Sequence, residues 1–280
     1  MKKVCLIAFH NIRKWTYNPR IYIIIALMFC FMGLRMSSVA KFANAVGYST
    51  TIWFFPYIGI DGFLSLVIPL GLILLFCDAP FIDAEHPLMI IRSGKKSWAY
   101  GQVLYIIIAS AVFWILIFFL SIVFFFPNVE FSSAWGKVLG TLAQTDAGQA
   151  FGINMLNYEL QNEFTPLMAF GLSFLLYWLV GIFLGLLMLV LNLRFSRAVG
   201  AIVAVAFIVF DGFLSNILIP QLYYISPVSW LDLTYINFGS GSFMPSFHYV
   251  LIFLLAAVLF LLLDFLRLIR KKPIEILPTI

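Results

Sequence analysis

Six long apolar stretches, near residues 21–39, 57–77, 102–126, 167–191, 199–218 and 248–266, alternate with shorter polar segments along the 280-residue chain. Each is close to the ~20 helical residues that cross the apolar layer of a bilayer. The period-two pattern of barrel strands is absent, and lipid offers no hydrogen-bond partner to an open strand edge. The pattern therefore predicts an all-α integral membrane protein, a single transmembrane domain over 1–280 with six transmembrane helices. Pro69 and the glycines of the second stretch predict a kink, which neighbouring helices can accommodate.

The polar intervals differ from one another. Residues 1–20 are too polar to span. On a helical wheel Val4, Cys5, Ala8, Ile12 and Trp15 gather on one side, with Ile7 and Phe9 at its edges. Lys2, Lys3, His10, Arg13 and Lys14 gather opposite, and Leu6 and Asn11 fit neither side. This predicts an amphipathic interfacial helix with Arg13, Lys14 and Trp15 at its end, serving either as a topology-setting anchor or in partner docking. A cleaved signal peptide is not expected, because no small-residue cleavage site follows and the apolar run begins only after Asn18-Pro19-Arg20.

Between the second and third apolar stretches, residues 78–101 form the most polar interruption with basic flanks. Asp83 and Glu85 precede Pro87, and Leu88-Met89-Ile90-Ile91-Arg92 follows. Acids ahead of a proline mark a helix start, since proline needs no N–H partner there and the acids suit the positive helix end. Gly94 is the expected stop. The 127–166 segment carries Glu130, Asp146, Glu159 and Glu163, and Ala134–Leu142 and Gly152–Leu160 are predicted as short surface helices. Residues 40–56 and 219–247 are short and aromatic. No interval is large enough for a separate folded domain.

Composition supports the membrane reading. Hydrophobic residues make up 63% of the chain and charged residues 10%, with a mean hydropathy of +1.05, more apolar surface than a soluble fold can hide. The net charge of +5 comes from basic residues at span ends, which points to a membrane surface and not to nucleic acid. With the N-terminus in the cytosol, only Arg35, Lys41 and Lys137 of the 17 lysines and arginines fall on the outer side. The positive-inside rule then places both termini in the cytosol, so that 78–101 is a cytoplasmic loop and 127–166 an extracellular one. Cys5, Cys30 and Cys77 have neither metal nor disulfide spacing and read as apolar packing.

Asp61 and Asp211 each begin the pentapeptide Asp-Gly-Phe-Leu-Ser near the outer ends of the second and fifth spans. Either they face a central pathway, or they are interfacial and solvated or paired with Arg35 or Lys41. The two spans run in opposite directions, so the pentapeptide is no structural repeat. Asp264 stands three residues before Arg267, the spacing of an ion pair on one helix. There is no Walker-type glycine loop, nucleophile elbow, His-Glu-x-x-His or Cys-x-x-Cys, and no metal site or catalytic residue is expected.

The layout resembles the permease subunits of ABC-2 type transporters, especially bacterial peptide and drug exporters. The matching residues run from Asp83 to Lys96, DAEHPLMIIRSGKK, with His86 following Glu85 where many members carry arginine. The resemblance implies a coupling helix that docks on a separate ATP-binding cassette ATPase, through Leu88, Ile91, Arg92 and Ser93 with Asp83, Glu85 and Pro87 at the helix start. It also implies a second permease copy or a paralogue completing the pathway. ATP and Mg would be held by the partner ATPase, with no cofactor in this chain. The setting it implies is a bacterial plasma membrane, with amphipathic peptides or lipophilic compounds as cargo. An ion-coupled secondary carrier and a non-transporting scaffold or immunity protein remain as alternatives.

Overall fold

A computed structural model describes residues 2–81, 86–153, 155–214, 216–217, 219–239 and 241–271. Among these residues the chain forms ten α-helices: α1 (Lys2–Arg13), α2 (Pro19–Val46), α3 (Leu64–Phe76), α4 (His86–Ser93), α5 (Lys95–Val123), α6 (Gly136–Gln144), α7 (Tyr158–Glu163), α8 (Pro166–Arg194), α9 (Arg197–Leu214) and α10 (Phe247–Lys271). The only sheet pairing among them is two residues long, Thr50–Thr51 parallel to Val129–Glu130.

Helices α2, α5, α8 and α10 are long and apolar enough to cross a membrane. The protein is thus an all-α membrane protein. At the second and fifth predicted spans stand shorter helices, α3 with 13 residues and α9 with 18. They measure about 20 and 27 Å at 1.5 Å per residue, against an apolar layer of about 30 Å. Pro69 lies inside α3.

Local chemistry sets the helix ends. The Asn18 side chain accepts the Arg20 amide and Pro19 takes the first helical position, a standard start for α2. Gly94, at φ 83°, separates α4 from α5, a backbone conformation that a side chain would strain.

The helices pack around α8, where 72% of the apolar window is buried, against 28% in α2 and 22% in α10. Most of the surface of α2 and α10 is left for lipid. The end of the bundle carrying α1 and α4 is called proximal below, and the opposite end distal.

Non-helical chain completes the two short helices at the distal end. Before α3, a 3-10 turn over Phe55–Ile58 is buried throughout. After α9, residues 226–233 are buried without a break. The two loops cross at Gly59, where a Cβ would overlap the carbonyl oxygen of Leu231. The Tyr177 hydroxyl of α8 accepts the Gly59 amide at 2.8 Å. Phe55 fills the space beside it, its ring 5.1–6.4 Å from those of Tyr177, Phe170, Phe118, Phe174 and Trp114. Of the aromatic segment at 219–247, residues 226–233 are therefore interior, while Ile225 and Phe243 stay exposed.

The 127–166 segment lies over this end. Trp53 Nε1 donates to the Ser132 carbonyl at 2.6 Å, and Gln161 Nε2 donates to Tyr57 Oη at 2.8 Å. The expected helix over Ala134–Leu142 is present as α6, but the second begins only at Tyr158. There the Asn157 side chain accepts the Glu159 amide, so the cap overrides the run from Gly152.

At the proximal end, Asn192 Nδ2 donates to the carbonyls of Ala79 (2.9 Å) and Cys77 (3.3 Å), while its Oδ1 accepts the Gly200 amide (2.9 Å). Arg20 pairs with Asp78. Asp264 pairs with Arg194 of α8 at 2.8 Å instead of with Arg267 on its own helix, because α8 and α10 lie side by side. Cys5 and Cys30 are exposed on helix surfaces, not packed inside, and Cys77 receives a hydrogen bond from Arg20.

The loop crossing at Gly59 leads to a stability prediction. Gly59→Ala places a methyl group against backbone that cannot rotate away and should cost about 1–3 kcal/mol, as overpacking does. Gly62→Ala, with open space around it, should leave the unfolding midpoint in detergent within error of wild type. Equal midpoints for the two variants would contradict the crossing.

Candidate functional site

At the proximal end α1 lies along the first turns of α5. Ile7, Ala8 and Asn11 are buried there. Close approach is possible because position 101 is glycine, where a Cβ would stand 2.6 Å from Ile7 Cγ2. One turn further, Asn11 Nδ2 donates to Gln102 Oε1 at 3.1 Å, and Trp15 Nε1 donates to the Tyr105 hydroxyl at 3.0 Å. The helical wheel is thus corrected at two places. Asn11, a misfit by hydropathy, is on the buried face because Gln102 answers its amide, and Cys5, on the apolar side of the wheel, is exposed. Of the predicted terminal residues, Arg13 is exposed, while Lys14 and Trp15 form a 3-10 turn that continues the helix and are half-buried.

Helix α4 presents three faces. Ile90 is buried against the bundle at 6% exposure, while Leu88 and Ile91 are 63% and 73% exposed. Met89, Arg92 and Ser93 turn toward α1, where Lys3 Nζ donates to the Arg92 carbonyl at 3.3 Å. The Ser93 hydroxyl donates to the Met89 carbonyl and so faces its own helix. The predicted docking set therefore divides: Leu88 and Ile91 form an outward apolar ridge, and Arg92 and Ser93 border a groove. Asp83 and Glu85 lie outside the described residues, as does the side chain of Pro87.

The groove between α1 and α4 encloses about 640 Å³. Its walls are Lys3, Leu6, Ile7 and His10 from α1 and Leu88, Met89, Arg92 and Ser93 from α4. An exposed apolar surface bordered by cations can receive an amphipathic anionic partner. Nothing in the sequence alone links positions 3 and 92, since that pairing depends on α1 folding back onto α5.

The two acids singled out from sequence lie at the distal end with separate partners. Asp61 Oδ1 accepts the amides of Leu64 (2.7 Å) and Phe63 (3.1 Å), so it caps the start of α3. Its other oxygen is 3.4 Å from Arg35 Nε, one of the two cations the sequence offers, and the Arg35 guanidinium lies 5.2 Å from the Phe63 ring centre. Asp211 Oδ1 accepts the Ser229 hydroxyl at 2.6 Å, and Ser226 Oγ lies 2.7 Å from Ser229 Oγ. The shared pentapeptide thus starts one helix and ends another.

A third buried carboxyl, Asp232, was missed in the sequence because it lies outside the apolar stretches. It accepts the Thr234 amide (2.8 Å) and hydroxyl (2.7 Å). Among the described residues no group of three or more His, Cys, Asp or Glu converges as a metal site would.

Comparison of the chain with protein-family models, curated proteins and solved structures finds no match.

One measurement checks this geometry. Gln102→Leu removes the described partner of a buried Asn11 amide and should lower stability by about 1–3 kcal/mol; adding Asn11→Leu should restore most of the loss, since an apolar pair leaves nothing unsatisfied. Additive losses would mean that the two amides do not meet.

Proposed function

We propose that the protein is the membrane-spanning permease subunit of an ATP-driven exporter of the ABC-2 type. One observation carries the reading. Between two apolar helices the chain builds an eight-residue helix, α4, whose anchor is buried and whose apolar ridge, Leu88 and Ile91, is exposed at the end of the bundle. An isolated apolar ridge of this kind suits a protein partner. In this reading α4 is the coupling helix, both termini are cytosolic in a bacterial plasma membrane, and a partner ATPase holds ATP and Mg. Spans two and five reach full thickness by joining α3 and α9 to the buried distal loops, because non-helical chain at membrane depth must be covered by protein. Two copies, or this chain and a paralogue, enclose the pathway for amphipathic peptides or lipophilic compounds. ATP shifts the membrane subunit between conformations only as far as its binding to them differs.

The alternative of an ion-coupled carrier draws on Asp211 and Asp232, buried acids whose partners among the described residues are hydroxyls and an amide. Such a carrier would transport with a proton gradient and without ATP.

The test is recovery of ATP-hydrolysing activity with the tagged chain from its native membranes in mild detergent. Leu88→Asp with Ile91→Asp should lower co-purified, vanadate-sensitive ATPase at least about tenfold, the effect of placing charge at two buried anchors of an interface, with membrane insertion intact. An ATPase that stays bound to the double variant would remove α4 from the interface. A chain that carries no ATPase but transports with a proton gradient would replace the exporter by the carrier.

A further inference from the structure

We propose that the groove between α1 and α4 is a binding site for an anionic phospholipid, its phosphate held by Lys3 and Arg92 and an acyl chain lying over Leu6 and Met89. The inference needs only the membrane character of the protein and does not depend on a partner ATPase.

The charge pattern selects the ligand. Lys3 donates to the Arg92 carbonyl, which uses one of its three ammonium hydrogens and brings the side chain to the groove border. Arg92 is exposed there. Among the described residues no carboxylate pairs with either cation. Asp78 is paired with Arg20 and Asp264 with Arg194, so the described acids of the proximal end are already neutralised. A lysine and an arginine at one rim, with nothing negative described between them, favour a phosphate.

Depth selects the lipid over a soluble anion. Helix α1 lies beside Gly101, Gln102 and Tyr105 on the first turns of α5, a helix long and apolar enough to span. Around this level Tyr17, Tyr22 and Tyr100 are 81%, 57% and 47% exposed, the belt that amphipathic rings form at the headgroup layer. Leu6, 69% exposed, then lies where acyl chains begin. An acidic helix of a soluble partner would match the charges but has no such reason to meet the belt.

The test uses the full chain, delipidated in a neutral detergent, with phosphatidylglycerol or phosphatidylcholine added and bound lipid counted by native mass spectrometry. Phosphatidylglycerol should remain bound and raise the unfolding midpoint, and phosphatidylcholine should do neither. Lys3→Gln with Arg92→Gln should weaken phosphatidylglycerol roughly thirtyfold, the effect of two basic residues at an anionic surface. Lys95→Gln with Lys96→Gln, which lie off the groove, should change it far less. Should the first double variant be unstable, Leu6→Gln keeps the charges and removes apolar floor, and it should weaken the lipid while leaving glycerol phosphate unaffected. Equal binding of the two lipids, or full binding by the Lys3/Arg92 variant, would overturn the site. Stabilisation by glycerol phosphate alone as strong as by the lipid would make it an anion pocket. Binding of an acidic amphipathic peptide but not of phosphatidylglycerol would make it a protein dock. Either result refutes the lipid assignment.

Discussion

Backbone that is neither helical nor paired in a sheet can be buried only if its N–H and C=O groups find partners. The distal half of the protein depends on meeting that requirement with side chains. Tyr177 accepts the Gly59 amide, Asp61 accepts those of Phe63 and Leu64, and Asp232 accepts that of Thr234. Tyr223 donates to the Leu214 carbonyl at the end of α9, and Trp230 donates to the Tyr223 carbonyl. With these groups answered, two loops pack inside the bundle, and α3 and α9 can stop short of the lengths that their apolar stretches suggest.

The division between what sequence reveals and what it hides follows the range of the interactions. Apolar periodicity is local, so six apolar helices were legible, as was the Gly94 stop of α4. The lengths of α3 and α9 were not, because a buried loop is as apolar as a helix and only its tertiary partners distinguish it. Asp264 illustrates the same limit: its local partner was Arg267, and packing gave it Arg194. The Asn11–Gln102 pair spans 91 positions, so hydropathy could only register Asn11 as out of place. At the candidate site, α4 was legible as an element, whereas its groove required α1 to return to α5.

The proximal site shows how a helix of eight residues can serve several neighbours. Successive side chains of α4 point about 100° apart, so Ile90 enters the bundle, Met89 and Arg92 turn to α1, and Leu88 and Ile91 face outward. The burial of one residue fixes the direction of the rest. A short helix without tertiary support is marginal in water, and here Ile90 and the proximity of α1 supply that support.

Asn192 joins three parts of the chain by one amide group. Its nitrogen holds the carbonyls of Cys77 and Ala79, just after α3, and its oxygen holds the amide of Gly200, in the first turn of α9. The side chain therefore acts as a pivot pin: the chain leaving α3 and the start of α9 are fastened to the same point on α8. That point lies on the most buried of the four long apolar helices and not on the lipid-facing rim of the bundle. A displacement of the chain just after α3 is therefore shared with the start of α9, whose far end carries Asp211 at the opposite face of the bundle.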